Sequence, residues 1–228
     1  MKISYQQTLN DQKQNLKAIA DEAQAEFAQI HKTRETALRL SRQIIRNSAN
    51  SIRAAHRGDF VTAHQLLDTV SDKLQDIEPI LKSHPSVYYA GFVEDAQKEY
   101  VEANTTLAFV QGKPLPGPDE LKVGFAPYLN GLAESVGELR RFILDSLRQN
   151  ESLRCEEILD TMDEVYAVLT SMDFPETVTR GLRRSTDMVR GILERTRGDL
   201  TVADRQRQLE QKLTAFQDSL DKSDNGEH

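Results

Sequence analysis

Along almost the whole chain, apolar residues return at intervals of three, four and seven, and that periodicity leaves little choice of fold. Leu9, Leu16, Ile19, Ala23, Phe27 and Ile30 mark one helical face. Leu38, Ile45, Ala49, Ile52 and Ala55 mark a second stretch, from Thr36 to Arg57. Phe60, Ala63, Leu66, Leu67, Val70, Leu74 and Ile77 mark a third. A half-buried strand would alternate with a period of two, and no such alternation of useful length occurs. The pattern predicts an all-α chain: seven to eight helices in one antiparallel bundle, a single domain over 1–228 with 221–228 as a loose tail.

Breaker residues set the boundaries. Gly58 suits a C-terminal cap and Asp59 the next N-cap. Pro79 weakens the end of the following helix, and Ser83–Ser86 is a break. A helix is expected from about Ser86 to Val110, then a loop with three prolines and two glycines between Gln111 and Pro118. Asp119–Val123 reads as a short helical turn, and Pro127 sits in the first turn of a helix reaching Arg148 and ended by Asn150. Further helices are expected over Ser152–Ser171, from about Pro175 to Arg197 with Gly198 as its stop, and from Thr201 to about Leu220.

Composition narrows the function. A chain of 228 residues, 38% hydrophobic and 29% charged, suits amphipathic helices around a lean core. Its net charge of -7 does not advertise a nucleic-acid binder, unless bases and acids are segregated on different surfaces. Cys155 is the only cysteine, which excludes an intrachain disulfide and a thiolate cluster, and it is expected to be buried rather than nucleophilic. No secretory leader and no apolar run near the ~18 residues of a membrane span appear, so a soluble cytoplasmic protein is expected. The glycine-rich phosphate loops of nucleotide enzymes are absent.

Two acid pairs carry the chemistry. Glu99 and Glu102 stand three apart, Glu134 and Glu138 four apart, so each pair shares a helix face. If their helices form an antiparallel hairpin about the 112–118 loop, Glu102 and Glu134 each lie roughly 13 Å from its closed end and face one another. Two like charges ~4 Å apart cost about 4 kcal/mol at an effective dielectric near 20. A hard divalent cation such as Mg²⁺ or Mn²⁺ removes that cost through oxygen ligands. The competing account is a solvated acidic face. No histidine follows either pair at the spacing of a ferritin-like di-iron site.

The words around these acids resemble a known family. Glu99-Tyr100-Val101-Glu102-Ala103 is similar to the signature of the translin-associated factor X (TRAX) branch of the translin family. Leu132-Ala133-Glu134-Ser135-Val136-Gly137-Glu138-Leu139-Arg140-Arg141 resembles the family's second signature, where the third acid is usually Asp rather than the Glu134 found here. The resemblance implies a helical fold closing into an oligomer, typically an octameric shell, made of this chain or of this chain with a translin-like subunit. It implies a Mg²⁺-dependent (or Mn²⁺-dependent) endoribonuclease acting on single-stranded or short RNA. It assigns Glu99, Glu102, Glu134 and Glu138 as catalytic, with Glu99, Glu102 and Glu134 as metal ligands and Glu138 as a fourth ligand or as the base that orients water. The alternative within the family is a binder of single-stranded RNA or DNA without catalysis.

Arg39, Arg42, Arg46, Arg53 and Arg57 form one stripe of a helix with no acid between Glu35 and Asp59. Arginine releases counterions and grips phosphate oxygens, so Arg42, Arg46, Arg53 and Arg57 are expected at RNA, with Lys98 and Arg141 as weaker candidates. A second basic run, Arg180, Arg183, Arg184, Arg190, Arg195 and Arg197, is interleaved with Asp187, Glu194 and Asp199, and reads as ion pairs or subunit contacts. His31, His56, His64 and His84 show no metal spacing, and His56 reads as a surface residue beside the arginine stripe. Val202, Leu209, Leu213 and Phe216 recur near heptad spacing, which suits docking to another helix.

Overall fold

A computed structural model describes residues 2–88, 90–149 and 154–224. The described residues form helices and connecting turns, without a strand: α1 (Lys2–His56), α2 (Phe60–Ser83), α3 (Pro85–Tyr88), α4 (Phe92–Gln111), α5 (Pro118–Leu121), α6 (Phe125–Arg148), α7 (Cys155–Thr170), α8 (Glu176–Thr179) and α9 (Leu182–Asp224). Six are long, and α3, α5 and α8 are single turns.

The periodicity located the long helices, and the differences lie at their joints. The first two apolar stretches are one helix of 55 residues, because nothing from His31 to Glu35 breaks a helix. What changes there is environment: residues 7–22 and 24–29 are exposed, whereas Ala37, Leu40, Ile44 and Ile52 are buried. The helix of the first acid pair starts at Phe92 rather than Ser86, because Gly91 takes a φ of 90°. At the other end, Gly198 does not stop a helix. Its turn is tied down on both sides by Arg140 bonding Thr196 and Asp199 and by Arg197 bonding Asp163, so α9 passes through it. The break falls at Arg180 and Gly181, whose φ angles of 52° and 95° are left-handed. Of the expected tail, residues up to Asp224 are helical and 225–228 lie outside the described residues, as do Asn150 and Ser152.

The centre of the molecule is the α4–α6 pair. On α4, Val93, Ala96, Tyr100, Val101, Leu107 and Val110 are buried, and on α6, Leu132, Ala133, Val136, Leu139 and Ile143. The two run antiparallel: Lys98 meets Glu134 while Val101, further along α4, meets Gly131, earlier on α6. α1 and α2 cover one flank of this pair, and α7 and α9 the other. A smaller cluster, Ala37, Leu40, Ile77, Val87 and Val93, joins α1, α2, α3 and α4. Cys155 is buried against the main core, and burial pushes its thiol up, as expected of a structural cysteine.

Candidate metal centre

The site exists because α4 and α6 approach closely at one residue. A Cβ built on Gly131 would lie 2.5 Å from the Lys98 carbonyl oxygen and 2.7 Å from Val101 Cβ. Only glycine fits a contact that tight. Less than one helical turn further along α6, Glu134 reaches back towards α4. Glu99, Glu102 and Glu134 each offer one carboxylate oxygen, and these atoms all lie within 4.8 Å of one another. Among the described residues this is the one such grouping of three histidine, cysteine or acidic side chains.

Its electrostatics fit a cation. Burial, then the charges of Glu134, Glu99 and Glu138, push the Glu102 carboxyl up to about 8. Burial and Glu134 raise Glu99 as well. Lys98 answers part of the charge: its Nζ donates to Glu134 Oε1 at 2.7 Å. Burial pulls the ammonium down, but Glu134, Glu99 and Asp95 outweigh it and hold Lys98 above its ordinary value. One ammonium against three carboxyl groups leaves the group short of positive charge, and the proton held by Glu102 answers part of that shortfall. Oxygen donors are what a hard divalent cation takes, so Glu99, Glu102 and Glu134 are the residues that would hold one, with a small inward movement of their side chains.

Glu138 is held differently. Its Oε2 lies 2.5 Å from His56 Nε2, whose side chain is only 5% exposed. The hydrogen bond from His56 outweighs burial and keeps the Glu138 carboxyl below the usual range, with Arg141 helping from 3.8 Å. An ionised carboxylate accepts, so Nε2 carries the proton. Glu138 is therefore a fixed anion beside the three-carboxylate group and outside it. His56, expected at the surface, is instead the clamp from α1.

The translin-family model matches residues 3–225. The chain belongs to the translin family. It is 32% identical over 192 residues to the uncharacterized protein MJ0175 of Methanocaldococcus jannaschii, covering 82% of this chain and 83% of that one. Among solved structures, AfC3PO bound to duplex RNA shares 31% identity at a TM-score of 0.76, over 82% of this chain and 97% of that one. AfC3PO alone gives a TM-score of 0.77 at the same identity and coverage. NeC3PO without ligand, 20% identical with a TM-score of 0.73 over 80% and 96% of the two chains, shares the fold.

In this translin-family chain the arginine stripe is exposed, at Arg39, Arg42, Arg46, Arg53 and Arg57. At about 100° per residue these five fall roughly 40–100° around α1 from His56, so the stripe flanks the face turned to Glu138. Arg53 bonds Asn50, and Arg141 spans Glu138 and Asp145. Lys98 is part of the acid group itself. The second basic run divides. Arg190 pairs with the interleaved Glu194, whereas Arg197 pairs with Asp163 of α7, outside that run. Arg180, which meets Glu94 at 3.5 Å, and Arg184 line a cleft that Lys98 and Glu134 also line. Spacing along the sequence carried no sign of that, because α8 and α9 reach the site only through the left-handed turn. The sequence showed His56 no better, since its partner lies 82 residues away.

Proposed function

We propose that this chain is a metal-dependent endoribonuclease of the TRAX-like branch, cleaving single-stranded or short RNA in the cytoplasm within a closed oligomer, an octamer of itself or with a translin-like subunit. One observation carries this: three half-buried carboxyl groups bring one oxygen each within 4.8 Å of the others, beside a helix contact that only glycine permits. The RNA in the AfC3PO complex, at 31% identity, supports the substrate class.

Glu99, Glu102 and Glu134 would hold Mg²⁺ or Mn²⁺. When bound, such an ion neutralises charge on the scissile phosphate and makes water a better nucleophile at neutral pH. The protein's own groups do the rest. Glu138, whose carboxyl His56 holds below the usual range, would be the base that orients water and accepts its proton. Lys98 and the exposed arginines Arg42, Arg46, Arg53, Arg57 and Arg141 offer positive charge to the backbone. Glu134 in place of the family's usual Asp extends its carboxylate by roughly one C–C bond, which would alter how it reaches a bound cation and so the rate or the choice of metal.

A binding protein without catalysis is favoured by a single contact, the Lys98–Glu134 ion pair, which already partners one of the three ligands. Incubating a labelled single-stranded RNA with the protein decides between them. Cleavage with Mg²⁺ or Mn²⁺ that stops in EDTA and is lost in Glu134→Gln is expected; binding without cleavage in either metal removes the nuclease assignment.

A further inference from the structure

Beside the three carboxylates a cleft of about 570 Å³ opens between α4, α6 and the start of α9. Binding clefts run roughly 300–1,000 Å³, so it has room for a ligand of nucleotide size. Glu134 and Lys98 form its end at the metal centre, and Arg180 and Arg184 line it from the α8–α9 turn and the first residues of α9. The turn is fastened to α6. Asn130, 5% exposed, donates through Nδ2 to the Thr179 carbonyl at 2.9 Å, and its Oδ1 accepts the Ser185 hydroxyl at 2.8 Å. Asn130 stands one helical turn before Glu134, so the same stretch of α6 positions both the carboxylate and the turn with its two guanidinium groups. Arg180 takes a φ of 52°. A non-glycine residue there costs on the order of 1 kcal/mol, a strain held by these bonds.

The charges favour an anion. Arg180 answers Glu94 at 3.5 Å and Lys98 answers Glu134 at 2.7 Å, whereas Arg184 is exposed and makes no ion pair among the described residues. With a cation held by the glutamates, Lys98 no longer has to neutralise Glu134. The cleft then offers Lys98, Arg180 and Arg184 against Glu94 and Asp95.

We propose that this cleft is a substrate subsite, in which Arg184 and Arg180 hold the phosphodiester next to the one cleaved. The proposal rests on the nuclease reading and assigns to RNA two arginines whose sequence context reads as ion pairs. Arg184 is the anchor, and Arg180 is shared between the strand and Glu94.

The test uses the full-length protein and a labelled 12-nucleotide single-stranded RNA. Binding is followed in EDTA across a salt series and cleavage in Mg²⁺, for wild type, Arg184→Ala, Arg180→Gly and Arg183→Ala. Glycine at 180 keeps the left-handed turn, and Arg183, exposed and outside the cleft, is the control. Arg184→Ala is expected to raise KM roughly tenfold with kcat little changed. It is also expected to flatten the plot of log K against log salt by about 0.7, the loss of one phosphate contact. Arg180→Gly should show the same pattern more weakly, and Arg183→Ala none of it, at unchanged melting temperature. An Arg184→Ala protein with wild-type KM and salt slope, while wild type cleaves, overturns the subsite and leaves the nuclease intact. A wild type that binds RNA in an Arg184-dependent way but never cleaves it removes the nuclease and keeps the cleft as a binding site.

Discussion

Glu102 links the site to pH. Its folded-state pKa of about 8 lies above the ordinary 4.5, so the metal-free fold holds a proton that the unfolded chain releases. That stabilisation is complete below the unfolded value and is lost as pH rises through the folded one. Glu99 shifts in the same direction. Glu138, lowered by His56, works the opposite way, and its contribution is lost only at acid pH. In EDTA the melting temperature should therefore fall as pH is raised from about 6 to about 8.5. Apparent Mn²⁺ affinity should rise over the same interval, because metal must displace that proton. Glu102→Gln should remove most of both trends, as followed by differential scanning calorimetry and metal titration; a wild-type melting temperature that does not change with pH in EDTA would contradict the burial argument. The glutamates were legible in sequence because carboxylates three and four apart must share a helix face. Their partner His56 was not, since its role comes from packing between α1 and α6 and not from local spacing.

At the scale of helices, one missing side chain sets the distance on which the site depends. Gly131→Ala places a methyl 2.5 Å from the Lys98 carbonyl oxygen, and backbone cannot yield as a flexible side chain can. Overpacking of this kind costs typically 1–3 kcal/mol. Here the cost should come with a separation of α4 from α6. Chemical denaturation should show the loss, and Mn²⁺ titration a weaker site, on the order of tenfold at the same temperature. A Gly131→Ala protein that loses stability but binds Mn²⁺ normally would show that the close approach serves packing alone. Helix boundaries reveal what pattern reading sees and misses. It found α2, α4, α6 and α7 because each has a buried stripe. It divided α1 and α9, since a change of burial along a helix resembles a break, and Gly198 resembles a stop until Arg140 of α6 and Asp163 of α7 are seen holding its turn.

Over the whole molecule, both long helices run past the core. Leu16 and Phe27 of α1 are each 67% exposed, and Val202, Leu209 and Leu213 of α9 are 66, 57 and 54% exposed. Apolar faces of this length are costly in water and mark association surfaces. If they close the proposed oligomer, Leu209→Glu with Leu213→Glu should reduce the sedimentation mass while leaving the helical circular dichroism unchanged; an unaltered mass would assign the oligomer to another face. All-α architecture followed from periodicity alone, whereas which faces meet a second chain cannot be read from one chain's pattern. No described helix is long and apolar enough to cross a membrane. The account as a whole turns on a single cation held jointly by α4 and α6, and anomalous diffraction from crystals soaked in Mn²⁺ tests it most directly. One strong peak bonded by Glu99, Glu102 and Glu134 is predicted, with Glu138 still on His56. No peak there, with Lys98 remaining on Glu134 at saturating Mn²⁺, would contradict it.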